Sequence, residues 1–166
     1  MVSIASEDYL CEWSALGNEP GTSIFAVFDT RNAHPVLNFD PTTAWNGQFS
    51  GVLPANYAGG GVTVDLHWMA ATATAGTVVW STAFERVGTV LDIDADSFAA
   101  ANSGTTVTQG TAGLLNVTSI AHTSGAQMDS LAANEGFRLQ VTRAVADAQD
   151  AMGGTAQLRW VALKET

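Results

Sequence analysis

The ten residues Gly61-Val62-Thr63-Val64-Asp65-Leu66-His67-Trp68-Met69-Ala70 place Val62, Val64, Leu66 and Trp68 on one side of an extended chain. Thr63, Asp65 and His67 fall on the other side. Period-2 alternation over this length marks a half-buried strand, because successive strand side chains point to opposite faces. After a loop of small residues, Thr77 to Val87 repeats the pattern, with Val78, Trp80 and Phe84 in line with Arg86. The two runs read as a hairpin whose tryptophans, Trp68 and Trp80, meet in the core.

Similar runs extend in both directions. Ile24 to Phe28 reads as a strand, and His34 to Phe39 as a short edge piece, because Pro35 cannot donate to a ladder. Gln48 to Leu53, Thr105 to Gln109, Leu114 to Thr123, Phe137 to Val145 and Thr155 to Leu163 complete the set, separated by Gly, Asn, Asp and Ser turns. No helical stripe exceeds three turns. The expectation is an all-β fold, an antiparallel jelly roll or β-sandwich of about eight to ten strands. At 166 residues, with no internal repeat or linker, residues 23–166 form one domain of ordinary size.

Residues 1–22 differ. Ser6-Glu7-Asp8 ahead of Tyr9, Leu10, Trp13 and Leu16, with Gly17 to stop it, reads as a short capped helix. Its apolar stripe either covers an open end of the domain or acts as an arm docking on a neighbouring subunit. Tyr9, Leu10 and Trp13 are therefore candidate partner contacts, together with Trp45 and with Tyr57 in its Gly-rich loop.

Composition narrows the chemistry. Hydrophobic residues make up 46% of the chain and charged ones only 13%, with three histidines, one cysteine and one lysine. The formal charge of −10 repels phosphate backbones and anionic membranes, so neither nucleic acid nor membrane is an expected partner. Cys11 has no second cysteine for an intrachain disulfide. No apolar run approaches the roughly 18 residues of a membrane span, and the first eight residues show no secretory signal pattern.

Reactive constellations are equally scarce. A cupin-like metal site needs two histidines alternating on one strand, whereas His67 stands alone in its run and His34 and His122 lie on distant segments. Asp92-x-Asp94-x-Asp96 resembles the opening of a calcium loop, but Ser97 and Ser103 occupy the positions that need Gly and Glu. These aspartates, like Asp147 and Asp150, read first as turn residues that bond their own backbone. There is no nucleophile elbow and no phosphate loop. The expectation is a binding or structural module with no cofactor, not an enzyme.

Two stretches carry a family resemblance. Leu53-Pro54-Ala55-Asn56-Tyr57-Ala58-Gly59-Gly60-Gly61-Val62-Thr63-Val64 is one; Arg138 to Arg143 with Asp147, Asp150, Met152 and Ala156 to Glu165 is the other. They resemble small virion proteins of tailed bacteriophages over roughly residues 46 to 165. The resemblance implies a jelly-roll capsid decoration (cement) protein, assembled in the host cytoplasm and seated on the capsid surface. It also implies a homotrimer bound to the major capsid protein. A receptor- or carbohydrate-binding jelly roll on a head or tail fibre is the alternative.

Overall fold

Val62, Val64, Leu66 and Trp68 are all fully buried, so the alternation in the sequence is that of a core-facing strand. The structure, a computed structural model, describes residues 9–166. Its strands are β1 (Tyr9–Ser14), β2 (Val27–Arg31), β3 (His34–Phe39), β4 (Asn46–Val52) and β5 (Val62–Ala70). They continue with β6 (Thr77–Val87), β7 (Asn102–Val107), β8 (Asn116–His122), β9 (Gly136–Arg143) and β10 (Ala156–Glu165). One antiparallel sheet runs β2-β3-β10-β5-β8, with β1 also on β10; the other runs β4-β9-β6-β7. The two sheets pack face to face as a sandwich, and most connections pass from one sheet to the other.

The core sits between them. Trp80 packs edge-on to Phe39 at 4.8 Å and lies 6.0 Å from Trp68, so the two tryptophans do meet. They meet across the sandwich, however. β5 and β6 belong to different sheets and form no hairpin. Both runs are apolar on one face, and period-2 patterning does not say whether two such faces lie side by side or opposed.

Three further expectations change. β3 is not an edge: it pairs with β2 on one side and, through Leu37, Asn38 and Phe39, with β10 on the other. Pro35 lies beyond that second pairing, opposite Thr30, so its missing N–H is not needed there. The strand expected over residues 24–28 starts instead at Val27; before it, Ile24 to Ala26 bond to Asn46 along the edge of the other sheet.

The third concerns the N-terminal segment. Residues Tyr9–Ser14 are a strand, not a helix, paired with β10 from Tyr9↔Lys164 to Ser14↔Trp160. Only Ala15–Gly17 winds into a short 3-10 turn, capped by Ser14; the expected cap at Ser6 lies outside the described residues. Trp13 points inward, packs on Phe49 and Phe137 and donates from Nε1 to the Ser50 carbonyl at 2.8 Å. Gly51 makes the seat, since a Cβ there would stand 3.0 Å from the indole. Ring contacts and pairing to a central strand overrode the helical spacing.

A buried ion pair fastens the β9–β10 connection. Arg143 continues the inward face of Phe137, Leu139 and Val141 and is fully buried. It meets both oxygens of Asp150, at 2.7 and 3.0 Å, and donates to the carbonyls of Met152 and Gly154. Asp150 also accepts from the Val79 N–H. With all three guanidinium nitrogens engaged, the pair repays its desolvation through the loop it fixes.

Replacing Asp150 by Ala leaves a buried guanidinium unpaired and is expected to cost about 3–5 kcal/mol. Trp13→Ala is expected to cost about 3 kcal/mol. Trp13→Ala should lower the thermal midpoint by roughly 6–12 °C and Asp150→Ala by roughly 6–20 °C. An unchanged midpoint for Trp13→Ala would mean that β1 is a detachable arm.

Candidate functional site

The expected interface residues do not form one surface. Tyr57 is buried, with its hydroxyl donating to the Gly60 carbonyl and lying 3.8 Å from Met128 Sδ. Leu10, Trp13 and Trp45 pack against the core. Only Tyr9 is exposed, at 40%. Leu10, Trp13, Trp45 and Tyr57 are seated within their own chain, and Tyr9 is left at the surface.

The histidines and carboxylates also stay apart as chemistry. Among the described residues, no three His, Cys, Asp or Glu side chains come together to hold a metal ion. Asp92 accepts from the Asp94 N–H, and Asp96 from the Ser97 N–H, as turn-bonding aspartates do. His122 lies inside the sandwich, 2.8 Å from Thr82 Oγ1 and edge-on to Phe84. Burial holds its pKa below the ordinary histidine value, so it is neutral. Burial likewise pushes the Cys11 thiol up, which suppresses the thiolate a nucleophile needs.

Two surface features stand out among the described residues. The first is an apolar edge. Ile24, Phe25, Val27 and Phe28 are 54%, 48%, 45% and 51% exposed, on a segment that ends in the outermost strand of the larger sheet. Ile24 has φ of 52°, a backbone state that a β-branched residue adopts only at a cost. The sequence places a strand over residues 24–28; the structure begins it at Val27 and leaves these side chains exposed.

The second is a groove of about 280 Å³ on the outer face of that sheet. Val36 and Met69 form its floor, and Trp160, Arg159, Arg31 and His34 stand around it. A one-residue bulge between Leu158 and Trp160 breaks the β10–β5 register. It turns Arg159 and Trp160 to the same side, a common use of bulges beside binding sites. The Arg159 guanidinium lies 4.2 Å from the Trp160 ring, whose other neighbour is His67, edge-on at 6.3 Å. Opposite, the β2–β3 hairpin turns at Asn32 and Ala33, both with positive φ, and delivers Arg31. Arg31 bonds to Ala70 O, Ala71 O and Gln157 Oε1. Gly113 closes this wall: a Cβ there would come within 2.7 Å of the Arg31 guanidinium. Nothing in the linear spacing of residues 31, 34, 36, 69, 113, 159 and 160 announces the groove.

The outer face of the smaller sheet is different. It carries Asn46, Gln48, Gln140 and Thr142, and a buried Glu85 held by Arg138. Arg138 in turn covers the half-buried Phe98 ring.

No protein-family model and no curated protein matches this chain. Among solved structures, it is similar to the CBM22-2 xylan-binding domain of Paenibacillus barcinonensis Xyn10C, with a TM-score of 0.52 and 13% identity. That likeness covers 95% of this chain and 99% of the domain. It is also similar to part of the family GH115 4-O-methyl-alpha-glucuronidase BtGH115A, with a TM-score of 0.53 and 12% identity. There, 98% of this chain spans 18% of the larger protein. At these identities the likeness establishes the β-sandwich fold.

Because folded His122 holds its proton less tightly than the unfolded chain does, the unfolded state binds more protons below about pH 6.5. Stability should therefore fall as pH drops from 7.5 to 5.5 and be regained on return. His122→Gln should flatten that slope in urea melts; a variant that keeps the wild-type slope would assign the proton uptake to another group.

Proposed function

We propose that this chain is a non-catalytic structural module of a virus particle: a capsid decoration protein that assembles as a homotrimer and binds the major capsid protein on the head surface. The observation that carries this reading is the apolar edge at residues 24–28. From Val27 this segment is an edge strand, which offers unpaired N–H and C=O groups, and soluble monomers blunt such edges with charge, proline or a covering loop. Here four large apolar side chains precede the first charge, at Asp29. Such a strip suits burial against another subunit. The resemblance of residues 46–165 to phage virion proteins supplies the particle, and the −10 charge keeps free copies dispersed until they meet it.

A second reading has its own observation. The half-exposed Trp160 ring beside an apolar floor is the kind of surface on which a sugar ring stacks. The Paenibacillus neighbour is described as a xylan-binding domain. A fibre module that recognises carbohydrate is therefore the alternative, and the two readings use different surfaces.

Incubation with emptied capsids of the parent phage, followed by sedimentation, tests the first reading. The wild-type chain should pellet with the shells. Phe28→Glu, at a half-exposed position, should stay in the supernatant with its thermal midpoint unchanged. A wild-type chain left wholly in the supernatant overturns decoration.

A further inference from the structure

We infer that the groove at the β10 bulge is a binding site for a carboxylate-bearing sugar residue. The inference deepens the carbohydrate-recognition reading and is independent of the assembly edge.

The allocation of positive charge is the starting point. The chain has six Lys and Arg residues against sixteen Asp and Glu. Four of the six are paired with carboxylates: Arg86 with Glu135, Arg138 with Glu85, Arg143 with Asp150 and Lys164 with Asp65. The remaining two, Arg31 and Arg159, form no ion pair among the described residues, and both line this one groove. In so acidic a chain, carboxylates are plentiful enough to neutralise two more guanidiniums. Asp29, on the same face of β2 as Arg31, accepts instead from Asn38 and from the Thr30 N–H.

The Arg159 side chain adds a second observation. Its Nη1 is buried and has no hydrogen-bond partner, and an unsatisfied buried donor carries a free-energy cost of about 1–3 kcal/mol. The guanidinium carbon lies 4.2 Å from the Trp160 ring centre, a cation–π contact that uses none of its N–H donors. A guanidinium held at a ring and lacking a carboxylate is suited to an anion, and planar carboxylates match its fork. Exposed His34 also lines the groove.

The rest of the lining selects the body that carries the charge. Val36 and Met69 offer an apolar floor, and the half-exposed indole of Trp160 offers a flat wall for the C–H face of a pyranose. The volume, about 280 Å³, lies just below the roughly 300–1,000 Å³ of drug-sized sites, so it suits one ring of a chain. The net charge of −10 disfavours a polyphosphate, whereas a single carboxylate meets only the local field of Arg31 and Arg159. An anionic ring with one carboxylate, a uronic acid, meets all of these conditions.

Calorimetric titration of the full chain with oligogalacturonate and with its methyl ester separates ring from charge. Oligogalacturonate should bind, and esterification should weaken binding roughly tenfold or more. Trp160→Ala should abolish binding of both. Arg159→Gln should abolish the difference in affinity between acid and ester while leaving the thermal midpoint unchanged. Equal binding of acid and ester would overturn the inference and leave carbohydrate recognition standing. Absence of binding by acid, ester and a neutral xylo-oligosaccharide alike would overturn both.

Discussion

The β10–β5 ladder is the constraint on which the remaining structure depends. Its register runs from Ala156↔Ala70 to Glu165↔Val62 with one residue too many on β10. On its other edge, β10 takes β3 at its start and β1 at its end, so one strand orders three others. Leu158, Val161 and Leu163 face the core, yet the spacing from 158 to 161 is odd. That oddness is the bulge. It lets one strand keep its apolar residues inward on both sides of a shift, and it delivers Arg159 and Trp160 outward together. The same local defect therefore fits the core and builds the groove.

Charge follows a similar economy. Arg143 and Asp150 lock a loop from inside, Arg138 satisfies Glu85 on an outer face, and Lys164 does the same for Asp65. Their pairing leaves the acidic surface to govern long-range behaviour and leaves Arg31 and Arg159 to govern one short-range site. The apolar edge at residues 24–28 lies outside this electrostatic scheme, and water exclusion is the driving force it offers a partner. The apolar segment and the groove are separate surfaces, so the two proposed roles would not compete for the same residues.

Much of the fold was legible because period-2 alternation survives without tertiary information. Val62 to Trp68 and Phe137 to Val141 face inward as their spacing implies. What was not legible depended on long-range pairing. Tyr9, Leu10, Trp13 and Leu16 fit a helical stripe, and only the partnership with β10 and the Gly51 gap make that segment a strand. Likewise, β5 and β6 carry the same pattern whether they lie side by side or face to face. Arg143 could have been noticed: it occupies the next inward position after Phe137, Leu139 and Val141, and a charge there calls for a buried partner. The groove had no such signal, since its residues come from four separated segments. Of the candidate interface residues, Tyr57 is buried, Leu10, Trp13 and Trp45 pack against the core, and Tyr9 is exposed.

The measurement that bears most directly on the assembly account is the solution mass of the purified chain by light scattering over a range of concentrations. Burial of the Ile24–Phe28 edge between copies predicts a trimer, three times 17.3 kDa or about 52 kDa. A particle that stays at 17.3 kDa at every concentration contradicts it.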